Sequence, residues 1–329
     1  MALARAPWEP PEGRAVARVP ERPAVPFGPV RTWPARGPAG AGHLGDRPPT
    51  YEAEPSVLPA ATPENLTRLT PDTVLDGARC GSSVLRAVSM RGDSARYRGE
   101  PRREALLTAR FGTGPGALVL VAVGSGARGA DGAHLAAADL CRWIGGAVAR
   151  SHARLAEDIA HGRRSDLRGG LHRLTDRCFG RLRANANANA DEPGPAPGDH
   201  PAGLRCLLIP ADPDCRTRVF FGAGPGGLLR LRDGAWHDLE PTPAEGPEGP
   251  PPGEPFRFRA LAARPGDTLL LCGPGFADPL RGEPALAAEL AARWAAPAGP
   301  PGLVRFLADA GVRVKGYADD RTAVALWET

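Results

Sequence analysis

A glycine-rich turn at the end of an apolar run is the first feature of the sequence that could carry chemistry. Residues 117–126 read Ala-Leu-Val-Leu-Val-Ala-Val-Gly-Ser-Gly, and a long helical pattern follows Asp131. This pattern predicts a buried strand that ends in a tight turn, with Asp131 as the cap of the next helix. Backbone N–H groups at such turns bind phosphate, and acids at strand ends bind metal ions. The turn is therefore a candidate phosphate or metal site.

The same turn, Gly124-Ser-Gly126-Ala-Arg-Gly129, also matches the G-x-G-x-x-G pattern of dinucleotide-binding folds. That fold requires a second parallel strand after a single crossover helix, with an acid about twenty residues further on. Here the corresponding position lies inside a predicted helix, and a second predicted helix follows before any strand. The hypothesis of an NAD-binding enzyme therefore rests on this motif alone. A P-loop is excluded because its lysine is absent.

Three acidic residues adjoin other predicted strands. Glu104 directly precedes a strand pattern at 105–111, and Asp319 and Asp320 precede the last predicted strand at 322–327. Carboxylates at strand ends are suitable ligands for hard cations such as Mg²⁺. Acids of this kind are also common in ordinary turns. The residues alone leave both roles open.

The overall charge and composition exclude several classes of protein. The 329 residues carry a formal net charge of +4, which is too close to neutral to favour nucleic acid or a membrane as a partner. Lys315 is the only lysine, and the six cysteines form no C-x-x-C pair. The first residues contain no signal-like apolar segment, and no run of eighteen apolar residues occurs. We expect a cytoplasmic protein.

The chain is predicted to consist of a tail and one folded domain. Residues 1–75 are rich in Pro, Gly and Arg without a sustained period, which predicts a disordered tail. Residues 80–329 contain groups of strand patterns and groups of helix patterns rather than a strict alternation, with flexible loops predicted at 184–203 and 241–255. The first three strands are predicted to form a meander, followed by a helix pair, further strands, two helices and a last strand. This order indicates an α+β layered fold.

Five segments, taken in order, resemble the metal-dependent protein phosphatase family, known as PPM or protein phosphatase 2C. The resemblance covers about residues 80–329 and implies a β-sandwich flanked by helix pairs in α-β-β-α layers. The segments that carry it are the loop from Arg91-Gly-Asp-Ser-Ala-Arg-Tyr to Pro101-Arg-Arg-Glu104, the strand Leu118–Val123 with Gly124, the run from Gly222-Ala-Gly-Pro to Trp236, the run from Pro265-Gly-Asp to Asp278, and Asp319-Asp-Arg-Thr-Ala-Val.

The resemblance also implies a site. In that family, aspartates at strand ends bind two Mg²⁺ or Mn²⁺ ions, and metal-bound water attacks a phosphoserine or phosphothreonine. Carried over by position, the family's acids fall on Glu104, Asp319 and Asp320, which are the candidate metal ligands. The remaining ligand positions fall on apolar residues, namely Val123, Pro225 and Pro274.

The loss of these acids makes a dinuclear centre unfavourable. Two dications about 4 Å apart repel by about 17 kcal/mol at an effective dielectric of about 20, and ligand charge must balance that repulsion. Valine and proline supply neither charge nor oxygen. The resemblance therefore favours a degenerate member: a pseudophosphatase without a cofactor, which binds or regulates a protein partner such as a phosphoprotein. The alternative is an active Mg²⁺- or Mn²⁺-dependent serine/threonine phosphatase that uses Glu104, Asp319 and acids displaced to Asp93, Asp131 or Asp278.

Overall fold

The computed structural model describes residues 43–45, 47–52, 57–188, 201–240, 256–295 and 299–329, without the side chains of 187 and 188. Most of the predicted tail, residues 189–200 of the loop predicted at 184–203, and the predicted loop at 241–255 lie outside this range. Within it, two antiparallel sheets face each other, and helices cover the outer face of each sheet. The predicted α+β sandwich with flanking helices is confirmed.

The first sheet has five strands in the order β10-β7-β6-β5-β4. Its outer face packs against a pair of long helices, and these in turn bury Leu140, Ile144 and Leu171. The strands are β4 (Glu104–Phe111), β5 (Leu118–Gly126), β6 (Ala202–Pro210), β7 (Thr217–Ala223) and β10 (Arg257–Ala262), and the helices are α2 (Ala133–Ala160) and α3 (Arg164–Ala188).

The second sheet has six strands in the order β2-β3-β13-β11-β8-β9. Three shorter helices cover it around Trp294, whose ring contacts those of Trp236, Phe276, Phe306 and Trp327. The strands are β2 (Thr73–Cys80), β3 (Ser83–Met90), β8 (Gly227–Arg232), β9 (Ala235–Asp238), β11 (Thr268–Cys272) and β13 (Arg321–Glu328), and the helices are α4 (Pro274–Gly282), α5 (Pro284–Trp294) and α6 (Leu303–Ala310).

The strand β5 lies inside the first sheet and shows why the sequence has an unbroken apolar run there. Its side chains alternate between two buried surfaces, as strand geometry requires. Leu120 and Ala122 face α2 and α3, whereas Val121 and Val123 face the core between the sheets. A strand covered on both faces needs apolar residues at every position.

The chain crosses between the sheets through a short helix, α1 (Asp93–Arg98), which corrects the predicted meander. Only β4 and β5 form the expected hairpin. The strand β3 instead pairs with β2 and with β13, which lies more than 200 residues further along the chain. Pairing at that distance leaves no local signal in the sequence.

Several predicted boundaries also change. The strand β2 begins at Thr73, so the tail predicted to extend to 75 ends earlier, and the short strands β1 (His43–Leu44) and β12 (Arg313–Val314) pair in parallel. The helix α3 continues to Ala188, into the region predicted as a loop. Asp131 does not cap α2. The N-cap is Gly132, with φ of 67°, which has no side chain to accept a hydrogen bond from the first turn of the helix.

No helix among the described residues has the length and apolar character needed to cross a membrane.

Candidate functional site

The three predicted site acids lie at one edge of the sandwich, where β4 and β13 begin and β11 ends. Glu104 opens β4, and Asp319 and Asp320 lead into β13. The residues that follow β11 lie between Glu104 and Asp320. A Cβ atom at Gly273 would overlap the Glu104 carboxyl group, and one at Gly275 would overlap the carbonyl oxygen of Asp320. The fold therefore gathers the residues that the sequence singled out.

Glu104 is buried in a polar cluster between the sheets. Burial raises the pKa of Glu104 to about 8; the charge of Asp320 adds to this, whereas hydrogen bonds from Thr322 and Ser125 and the charge of Arg102 oppose it. Ser125 Oγ lies 3.5 Å from Oε1, and Oε2 has no hydrogen-bond partner among the described residues. Burial therefore favours the neutral form of the Glu104 carboxyl group.

Asp320 uses both carboxylate oxygens to hold the loop that contains α1. Its Oδ1 accepts a hydrogen bond from the backbone N–H of Gly92 at 2.8 Å, and its Oδ2 accepts one from that of Arg103 at 2.6 Å. Its side chain is 3% exposed. Charge-assisted bonds of this kind are among the stronger ones in proteins. Asp320 thus fixes residues 92–103 against the start of β13.

Asp319 faces two guanidinium groups. Its Oδ2 contacts Nη2 of Arg128, and its Oδ1 lies 3.7 Å from Nη2 of Arg103. The side chain of Arg103 is 15% exposed and that of Arg128 is 75% exposed. Sequence reasoning did not single out either arginine, although Arg103 precedes Glu104 and Arg128 lies within the glycine-rich turn. The positive charges next to Asp319 are therefore supplied by arginine side chains of the same chain.

The apolar residues at the remaining ligand positions are built into the fold. Val123 is fully buried in the core between the sheets. Pro274 is the first residue of α4, a position that favours proline because its fixed φ suits a helix start. Pro225 lies in an exposed turn, where Arg205 Nη1 donates a 2.9 Å hydrogen bond to the carbonyl of the preceding Gly224.

The displaced acids do not replace them. Asp93 pairs with Arg313 at 2.6 Å, and Asp131 and Asp278 are exposed. Across the described ranges, no group of three or more His, Cys, Asp or Glu side chains is placed to hold a metal ion. The side chains at this edge do not fit the two divalent cations that the resemblance implies.

A cleft of about 530 Å³ opens beside Asp319, and we call it the arginine cleft. Arg98 at its rim forms a forked ion pair with Glu100, with distances of 2.6 and 3.0 Å. A larger cavity of about 940 Å³ lies between residues 58–72 and the start of α2. The arginine cleft is lined by Arg98, Arg103, Arg128, Glu100 and Asp319, with Ser94, Tyr51 and Tyr317 among the polar neighbours.

Residues 91–309, two thirds of the chain, match the family model described as protein phosphatase 2C. The chain therefore belongs to the protein phosphatase 2C family. The matched range contains Glu104 and the positions Val123, Pro225 and Pro274, and it ends before Asp319. No curated protein matches the sequence.

Solved structures with a similar arrangement include two bacterial phosphatases. The serine/threonine phosphatase of S. agalactiae is 13% identical, with a TM-score of 0.49 over 75% of this chain and 100% of that one. The serine/threonine phosphatase PstP/Ppp of Mycobacterium tuberculosis is 21% identical, with a TM-score of 0.44 over 75% of this chain and 99% of that one. The family assignment rests on the sequence match.

Proposed function

We propose that this protein is a pseudophosphatase, a protein phosphatase 2C domain that binds a phosphorylated protein without hydrolysing it. The observation that carries the proposal is the state of the two aspartates before β13. Asp320 has both oxygens hydrogen-bonded to backbone N–H groups, and Asp319 faces Arg103 and Arg128. Both carboxylates are thus engaged by groups of the chain itself.

Hydrolysis by two metal ions depends on carboxylates that hold both cations and orient the attacking water. Here Val123, Pro225 and Pro274 offer no carboxylate oxygen at three of the ligand positions that the resemblance implies. Supplying one missing acid would not restore the centre, because the other positions would still lack charge to balance the repulsion between the cations.

Binding of a phosphorylated partner is supported by the arginine cleft. Three guanidinium groups line it, and guanidinium forks match phosphate oxygens in both charge and geometry. A phosphoserine carries a charge of about −1.5 to −2 near pH 7, which is more than that of either carboxylate in the cleft. In this proposal the protein still binds a phosphorylated protein, as the family does, but does not hydrolyse the phosphate ester.

Two measurements on the purified full chain test the proposal. Calorimetry with MnCl₂ should show no binding, and a phosphoserine peptide should bind in the presence of EDTA without being hydrolysed when Mn²⁺ is added. Metal-dependent turnover that disappears in Asp319→Ala would instead establish the active phosphatase. Asp166→Ala serves as the control, because Asp166 is exposed on α3, away from this edge.

A further inference from the structure

The geometry points to Asp319 as an internal competitor for phosphate. Its carboxylate faces two of the three arginines of the cleft, Arg103 and Arg128, until a phosphomonoester displaces it. This inference rests on the proposed function and specifies how the same cleft is regulated. It assigns the ligand to Arg103 and Arg128 and gives Asp319 a role opposite to that of a metal ligand.

Arg103 is held in place but keeps unused hydrogen-bond donors. Its backbone is anchored to Asp320 at 2.6 Å, whereas its guanidinium lies 3.7 Å from Asp319 and 3.9 Å from Asp320. These distances exceed those of a hydrogen bond, so the attraction is one of charge alone. Nε of Arg103 is buried and has no hydrogen-bond partner in the described part of the chain. The guanidinium of Arg103 therefore has no close acceptor among the described residues, and we expect a phosphate in the cleft to supply one to its terminal nitrogens.

A saturated arginine elsewhere in the protein shows the contrast. Arg218 donates two 2.8 Å hydrogen bonds to Glu328 and a third of the same length to Ser83 Oγ. Its side chain is 1% exposed, and Glu328 is fully buried. The pair of Arg218 and Glu328 leaves no room for another ligand, whereas the guanidinium of Arg103 lines the cleft and has unused donors.

Arg128 is the movable partner. It lies in the turn between Gly126 and Gly129, where Gly129 has φ of 74°, and its side chain is 75% exposed. In the described ranges its one ion pair is the contact with Asp319. An exposed arginine on a glycine-rich turn can rotate from a carboxylate to a phosphate without disturbing the core.

The balance of charge explains why Asp319 competes. The cleft contains three arginines against Glu100 and Asp319, a net charge of about +1 that rises to +2 without Asp319. A phosphate dianion carries more charge than the carboxylate and offers more acceptor oxygens to the same guanidinium groups. A phosphate dianion should therefore displace Asp319, but binding is weakened by the free energy needed to separate the carboxylate from the arginines. The isosteric Asn variant would not have this cost.

The test measures binding of a fluorescent phosphoserine peptide to the full chain in EDTA. Asp319→Asn should tighten binding roughly five- to tenfold, because a like charge near the phosphate is removed. Arg103→Gln and Arg128→Gln should each weaken it by about tenfold or more. Arg142→Gln is the matched control and should leave binding unchanged, since Arg142 pairs with Asp139 on α2. Inorganic phosphate should compete with the peptide if the phosphate group alone is recognised.

The outcomes separate this inference from the proposed function. If the wild-type chain binds the peptide without metal but Asp319→Asn binds it no better, the competitor role is wrong and the pseudophosphatase stands. If the wild-type chain hydrolyses the peptide with Mn²⁺, or if neither protein binds it, the proposed function fails and the inference fails with it. Circular dichroism confirms folding, and the exposed Arg128 provides a variant that leaves the core intact.

Discussion

The carboxyl group of Glu104 lies directly over the α-carbon of Gly273, the residue that precedes α4. A methyl group at position 273 would overlap the carboxyl carbon and both oxygens of Glu104. The start of a helix in one sheet layer and the start of β4 in the other are therefore in contact through a glycine and a buried acid. This contact closes the edge of the sandwich where the family's metal ions would be held.

Gly273→Ala should destabilise the protein by about 1–3 kcal/mol, because the added methyl group forces Glu104 or the start of α4 to move. Urea unfolding measures the effect. Gly170→Ala is the matched control: Gly170 lies inside α3 with nothing within 4 Å of an added methyl group, so that variant should gain about 0.5–1 kcal/mol from helix propensity. Equal effects at the two positions would contradict the close contact.

Glu104→Gln should be more stable than the wild type at pH 8.5 and nearly equal to it at pH 5. Burial raises the pKa of Glu104 to about 8 in the folded state, from an ordinary value of 4.5. A raised folded-state pKa gives stability that is complete below the unfolded pKa and lost as pH rises through the folded pKa. Each unit of pKa difference corresponds to about 1.4 kcal/mol, so the loss at pH 8.5 should be on the order of 5 kcal/mol.

Unfolding curves for Glu104→Gln and the wild type at several pH values between 5 and 9 provide this measurement. The difference in unfolding free energy should widen with pH. Asp278→Asn, at an exposed position of α4, should show no such trend. A constant difference between wild type and Glu104→Gln would show that Glu104 is already charged at pH 5.

Asp320→Ala should cost about 3 kcal/mol, since it leaves the backbone N–H groups of Gly92 and Arg103 without their acceptor. Hydrogen exchange should become faster at those two amides. Asp319→Ala should cost less than about 1 kcal/mol, because its partners are a distant and a largely exposed arginine. The hypothesis of a bracing role for Asp320 would fall if the two variants were equally stable.

Val123→Asp would restore an acid at a position where the resemblance implies a metal ligand, yet it should not restore metal binding. Val123 is fully buried among apolar side chains, so the variant should lose about 3 kcal/mol or more. Val121→Asp, two residues earlier on the same face of β5, is the control and should lose a similar amount. A rise in melting temperature with Mn²⁺ in Val123→Asp, absent in Val121→Asp, would show that a site survives.

Much of the fold could be predicted from local patterns. The apolar run of β5 and the periodic leucines of α2 and α3 reflect burial that each element needs on its own. The two helices predicted before the last strand correspond to α5 and α6. The helix α4 is not predicted, because Gly273-Pro-Gly275 has the composition of a turn, although proline also suits the first position of a helix. The pairing of β3 with β13 depends on long-range register that no local stretch encodes.

The sequence shows which ligand positions hold apolar residues, but it does not show which residues contact Asp319. The apolar residues at positions 123, 225 and 274 were visible as soon as the family pattern was aligned with the sequence. The contacts of Asp319 with Arg103 and Arg128 were not, because both arginines lie more than 190 residues away in the chain and arginine is abundant throughout it. Only the three-dimensional structure distinguishes these two from the others on the surface.

Because guanidinium groups lie beside Asp319, the charge of the arginine cleft does not depend on the supply of metal ions. In a protein that binds dications, a chelator or a shortage of metal removes the positive charge that balances the acids. Here the positive charges beside Asp319 belong to arginine side chains, which a chelator cannot remove. Ionic strength still weakens their attraction for an anion, since salt screens partly exposed charges. The cleft should therefore respond to salt and to competing anions, and remain indifferent to metal starvation.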